Sequence, residues 1–163
     1  ILLTSRLNLL LDTIISRCQI IRFKPYSNQE LKKLIEQSKY KTSDLFLNSE
    51  VLENLIFISN GSPGKLKDNL ELWNQIPEDI KREIRFPLNN YENILILAKK
   101  IANHLDLNQQ ELLLDYIQRN WWKKTKNKII AEIIENIKNN IHSNLQPRIS
   151  WEVGLIKVKL QGY

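Results

Sequence analysis

Residues 129–141, IIAEIIENIKNNI, set isoleucine at positions 129, 130, 133, 134, 137 and 141. Steps of three and four bring these side chains to one side of an α-helix, whereas a strand would need a period of two. The same spacing extends outward in both directions. Upstream, Ile94, Leu97, Ala98, Ile101 and Leu105 keep it, and a second helix follows in which Asn108 and Glu111 read as a capping box ahead of Leu112, Leu113, Tyr116 and Ile117. Downstream, Pro147 opens a last helix whose apolar positions are Ile149, Val153, Ile156 and Leu160. A polar, proline-containing stretch from Pro77 to Pro87 marks the best candidate boundary, with Ile80 to Ile84 as a short helix inside it. Before that boundary stand three more short helices. Ser27 and Glu30 form a capping box for Leu31, Leu34 and Ile35. A helix starting near Asn48 or Ser49 carries Val51, Leu52, Leu55 and Ile56. After the break at Gly61, Ser62 caps and Pro63 opens a helix with Leu66, Leu70 and Trp73 on one side.

The first residues differ in character. Ile1 to Thr4 is an apolar run ending in hydroxyl residues, and Gln19 to Phe23 alternates polar with apolar, so both read as β-strands. Leu9 to Ile15 between them has helical spacing and runs into Ser16, Arg17 and Cys18. The order strand, short helix, strand is that of the tail end of an α/β domain. The chain begins inside an apolar run without an initiator methionine, which leads us to expect further residues upstream.

Composition narrows the function classes. A chain of 163 residues that is 42% hydrophobic buries a real core, but four glycines, two histidines and one cysteine are sparse material for a self-contained enzyme. Cys18 alone forms no internal disulfide and no cysteine zinc site, which fits a reducing cytoplasm. There is no signal-peptide pattern and no run of about 18 apolar residues to cross a bilayer. A net charge of +6 favours an acidic partner, nucleic acid first among them.

The segment ILLTSRLNLLLDTIISRCQIIRF (1–23) resembles the end of the AAA+ core in subunits of the bacterial DNA polymerase III clamp loader. In that family a strand ending in threonine, the sensor 1 position, precedes a short helix that closes with Ser-Arg-Cys; here these are Thr4 and Ser16, Arg17, Cys18. The resemblance implies that Arg17 is an arginine finger acting in trans on ATP and magnesium held by an adjacent subunit. A guanidinium is planar, permanently charged and donates paired hydrogen bonds to phosphate oxygens, and such fingers accelerate phosphoryl transfer by roughly three to five orders of magnitude. Ser16 and Cys18 are implied as motif neighbours, Cys18 as a small packing residue and not a nucleophile.

ISNGSPGKLKDNL (58–70) resembles the sensor 2 helix of the family's lid domain. Motor subunits place an arginine there on their own nucleotide; this chain has Gly64, with Lys65 turned about 100° away on a helix. The departure points to the delta-prime type of subunit, with no nucleotide bound in cis by these residues. LQPRISWEVGLIKVKL (145–160) resembles the closing helix of the collar, with Gln146 in place of the usual asparagine. The implied architecture is mostly α: the end of an AAA+ core over 1–24, with two strands and a short helix, then a helical lid over 25–78 and an oligomerising helical collar over 79–163. The implied partners are the tau/gamma and delta subunits, the sliding clamp and primed DNA, with no membrane. The implied role is to help load the clamp during replication, the fragment itself not being catalytic alone. Two other readings stay open, a tau/gamma-type ATPase and a basic helical module that binds nucleic acid.

The stretch RNWWKKTKNK (119–128) interleaves two tryptophans with five basic residues. A pair of adjacent helical tryptophans packs more often than it stacks on bases, so direct DNA contact through Trp121, Trp122, Lys123 and Lys124 is the lesser reading. His104 and His142 lack companions at metal-ligand spacing and read as ordinary helix residues, and no metal site is expected.

Overall fold

In a computed structural model the chain is described over residues 1–4, 6–37, 49–86, 88, 90–143 and 146–162. The regular elements among them are helical. After a 3-10 turn at Leu7–Leu9 come α1 (Asp12–Ile15), α2 (Asn28–Gln37), α3 (Ser49–Ile58), α4 (Pro63–Gln75), α5 (Glu78–Glu83), α6 (Tyr91–His104), α7 (Leu107–Thr125), α8 (Lys128–His142) and α9 (Pro147–Leu160).

The expected boundaries are set largely by caps. Ser27 and Glu30 close the capping box ahead of α2, the Ser27 amide donating to the Glu30 carboxylate at 2.7 Å and the Glu30 amide to Ser27 Oγ at 3.3 Å. Gly61 takes φ +78° and ends the α3 turn, and Ser62 Oγ accepts the Lys65 amide at 3.3 Å with Pro63 at the first helical position. At Gly61 the chain also passes very close to the segment before α2. The Tyr26 amide donates to the Gly61 carbonyl at 2.9 Å, and a methyl on Gly61 would meet Pro25 Cβ at 2.6 Å. At α7 the capping box is shifted from the expected pair: Asp106 and Gln109 make it, not Asn108 and Glu111. Asp106 supplies the same acceptor two residues earlier, and the helix starts there. Asn48 lies outside the described residues.

Burial follows the predicted stripes through α3, α4 and α6 to α8. Leu31, Leu55, Leu66, Ile101, Leu113, Ile117 and Ile134 are among the residues of one hydrophobic core that runs from Leu31 to Val158. It is continuous across the Pro77–Pro87 stretch, since α7 packs on α3, α4 and α8, while α9 packs on α6 and α8. Leu34 and Ile129 stand at the margins of their stripes and are exposed. Polar side chains tie the helices together. Trp151 Nε1 donates to Gln110 Oε1 at 2.9 Å, and Gln110 Nε2 donates to the Leu105 carbonyl at 2.9 Å, so a buried indole and a buried amide satisfy each other.

Expectations for the first residues and for α9 are corrected as well. The first concerns the strands at 1–4 and 19–23: these residues have no regular secondary structure, and no strand occurs among the described residues. A strand is stable only when its amides and carbonyls meet a neighbouring ladder, and none is available here. The helix expected over Leu9–Ile15 is likewise broken into the 3-10 turn and the four-residue α1, with Leu10 and Leu11 extended and no buried residue in either piece. The second concerns α9. Its core face is Ser150, Trp151, Gly154, Leu155 and Val158, whereas Ile149 (53%), Val153 (45%) and Leu160 (65%) are exposed. Of the stripe that looked like the core side, Ile156 packs partly against the core and the other three residues point away from it. Tryptophan carries more apolar area than any residue of the rival stripe, and Gly154 lets α9 approach α8 on that same side.

Candidate functional site

The Ser16, Arg17, Cys18 tripeptide forms the turn that ends α1. The amides of Ser16, Arg17 and Cys18 donate to the carbonyls of Asp12, Ile14 and Ile15 at 2.9, 3.1 and 3.3 Å. Arg17 is exposed, and its guanidinium makes no ion pair or hydrogen bond with any described residue. No described residue occupies it, and its side chain is exposed. Cys18 is an exposed free thiol beside it and not the packed apolar residue that the motif implied. Thr4 is exposed too, in a local turn where its hydroxyl accepts the Arg6 amide at 3.0 Å. Around this turn the apolar side chains Leu2, Leu3, Leu9, Leu11, Ile20, Ile21 and Phe23 are exposed.

Gly64 lies in the first turn of α4, exposed, with open space where a Cβ would be. The glycine is not required there by packing. Lys65 is exposed beside it.

The tryptophan pair at 121–122 divides. Trp121 is 1% exposed and stacks at a tilt against Phe86, ring centroids 5.5 Å apart, so it is a core residue with no face for a base to stack on. This corrects its place in the basic patch. Trp122, one helical step away, is 38% exposed. Lys123 donates to Asn54 Oδ1 at 2.7 Å and so braces α7 against α3, while Lys124 is exposed.

Trp122 also borders a feature that local sequence did not disclose. A groove of about 800 Å³ between α3 and α4 on one side and α7 and α8 on the other is lined in part by Phe57, Lys65, Arg119, Trp122 and Lys128. The Arg119 guanidinium carbon sits 3.6 Å from the centre of the Phe57 ring, and Arg119 Nε is buried without a hydrogen-bond partner. Phe57 and Arg119 are far apart in sequence, and periodicity along either helix could not pair them.

A second, narrower cleft of about 700 Å³ includes Trp73, Lys81, Arg85 and Tyr116. Trp73 and Tyr116 pack with centroids 4.3 Å apart, and burial pushes the Tyr116 phenol above its ordinary range. Lys81 is held there by Glu78 at 2.7 Å and by the Trp73 ring, so its charge is already engaged. His104 Nδ1 lies 2.9 Å from the Lys100 carbonyl and His142 Nε2 lies 3.1 Å from Glu111. No set of three metal-ligating side chains converges among the described residues, and no helix among them is long and apolar enough to cross a membrane.

The family model described as cyanobacterial DNA polymerase III delta prime, C-terminal domain, matches residues 29–158. No solved structure matches the chain.

Proposed function

Because the chain belongs to the family of cyanobacterial DNA polymerase III delta-prime C-terminal domains, we propose that it is the C-terminal half of a delta-prime-type clamp-loader subunit that assists ATP hydrolysis in trans. Residues 1–24 would then end an AAA+ core, 25–78 form the lid and 79–163 the collar. Its partners would be the tau/gamma and delta subunits, with the sliding clamp and primed DNA reached through the assembly.

The observation that carries the finger is the exposure of Arg17 without a side-chain partner among the described residues, on a turn just ahead of the matched region. A structural arginine at a helix end would be expected to engage a carbonyl or carboxylate. A finger must instead be free to meet a phosphate on another subunit, where low dielectric and bidentate geometry stabilise the charge of the transferring group. ATP and magnesium would be held by that neighbour, and Gly64 offers no side chain to a nucleotide in cis. The exposed apolar side chains between Leu2 and Phe23 support the packing of this segment on further protein, and the outward stripe of α9, Ile149, Val153 and Leu160, supports helix packing between subunits in the collar.

The test is the reconstituted loader carrying Arg17→Ala, assayed for ATPase stimulated by clamp and primed DNA. The rate should fall by at least about tenfold, and Arg17→Lys should not restore it, because an ammonium lacks the paired donors. An assembled complex whose rate stays within about twofold of wild type would remove the finger from the mechanism.

A further inference from the structure

Residues 119–128 carry five cations and no acid, and the fold neutralises few of them. Lys123 is bonded to a neutral amide, Asn54, and keeps its charge. Lys128 pairs with Glu132 at 3.2 Å, but both side chains are mostly in water, where such a pair contributes little. Lys124 and Lys126 make no ion pair with a described residue, and Lys126 sits in left-handed geometry (φ 52°) on the turn between two groove-lining residues, Trp122 and Lys128. Inside the groove Asp115 pairs with Lys138 at 2.8 Å, Glu135 acts on the same Lys138 and Glu132 meets Lys128, while Lys65 adds an exposed cation from α4. Against this rim lie three flat groups: Phe57 (43% exposed), the Arg119 guanidinium above it, and Trp122 (38% exposed). Arg119 Nε still lacks an acceptor.

We propose that this groove binds single-stranded nucleic acid, with a base stacked on Trp122 and backbone phosphates received by Lys65 and Lys126. Open π-faces and a guanidinium plane suit unstacked bases, and the surrounding cations suit a chain with a negative charge at every step. A duplex hides its base faces in its own stack, and an acidic peptide would use the cations but not the rings. The inference goes beyond the clamp-loader reading and does not use Arg17.

The test uses the 163-residue chain and a fluorescein-labelled oligothymidylate of about 15 nucleotides, with a duplex of equal length and polyglutamate as competitors. Since Trp73, Trp121 and Trp151 are buried, quenching of tryptophan fluorescence on binding reports Trp122. Binding should weaken steadily with salt, and Lys65→Ala and Lys126→Ala should each reduce the logarithmic salt slope by about 0.7. Trp122→Ala should weaken binding about tenfold or more, and Trp122→Leu, which keeps the apolar contact but removes the ring, should do the same with an unchanged thermal midpoint. Glu135→Gln should tighten it. No binding at low salt overturns the proposal, and so does a salt-sensitive affinity that duplex or polyglutamate matches and that both Trp122 variants leave unchanged. Because neither ATP nor another subunit is involved, either result leaves the clamp-loader assignment where it stands.

Discussion

Replacing Gly154 by alanine puts the packing of α8 against α9 under direct strain. An added Cβ would lie 2.3 Å from Ile137 Cδ1 and 2.4 Å from Ile137 Cγ1, where carbon atoms otherwise rest about 3.5–4.0 Å apart. Ile137 is 2% exposed and has little room to withdraw. As a free helical position the site would gain about 1 kcal/mol from the change, because alanine is the better helix former. Overpacking a closed core costs about 1–3 kcal/mol and occasionally more, so the net expectation is a loss of up to roughly 2 kcal/mol. Ile137→Ala alone should lose about 2–5 kcal/mol through the cavity it leaves. In the double variant the new methyl occupies part of that cavity, and the combined loss should fall short of the sum by at least about 1 kcal/mol. Guanidinium denaturation of the four proteins measures this coupling. Stabilisation by Gly154→Ala, or additivity within about 0.5 kcal/mol, would refute the close approach of the two helices.

Gly61→Ala should destabilise by more than about 1 kcal/mol, since alanine is strained at φ +78° and its methyl would strike Pro25 and Tyr26; hydrogen exchange of the Tyr26 amide, bonded to the Gly61 carbonyl, should accelerate most. The Asp79 carboxyl is held below its ordinary range chiefly by the hydrogen bond from Lys100, whose own value is raised by Glu83 and then Asp79. For Asp79 the folded value lies below the unfolded one, so its contribution is present above the unfolded value and is lost as pH falls through the folded one. For Lys100 the contribution is present below the unfolded value and lost as pH rises through the raised folded one. In Lys100→Ala a carbon-detected titration should show the Asp79 midpoint moving up, and an unmoved midpoint would contradict the assigned partner. Val153→Asp on the outer face of α9 should leave the denaturation midpoint of the isolated chain unchanged but weaken its incorporation into a reconstituted loader, read by size-exclusion chromatography.

What could be read from the sequence depended on how far apart the cooperating residues lie. Caps are local, so Ser27 with Glu30 and Gly61 with Ser62 and Pro63 were legible, and they place α2 and α4 correctly. A single dominant stripe is nearly as informative, as α6 and α8 show. Where a helix carries two apolar stripes the spacing cannot choose between them. In α9 both Ile149, Val153, Ile156, Leu160 and Trp151, Leu155, Val158 fit a helical period, and only Gly154 against Ile137 and Trp151 against Gln110 decide which side is inside. The strands at 1–4 and 19–23 failed for a related reason: a period of two describes a chain prepared to pair, and the partner must come from elsewhere.

The same distinction governs the two candidate sites. The Ser16, Arg17, Cys18 turn is contiguous, and a contiguous motif could be found without coordinates; its exposure adds that the arginine is available. The basic patch is legible as composition, and the packing favoured for its tryptophan pair holds for Trp121 alone, because adjacent helical residues point about 100° apart and only one of Trp121 and Trp122 can face the core. Its aromatic partner, Phe57, belongs to α3 and meets Arg119 only through the packing of α3 on α7. If that meeting organises the groove, Phe57→Ala should lower oligothymidylate affinity even though residue 57 carries no charge, and the salt slope should stay as it was. A loss of slope instead would mean that the substitution had displaced the lysines, and that the ring was a spacer and not a surface for stacking.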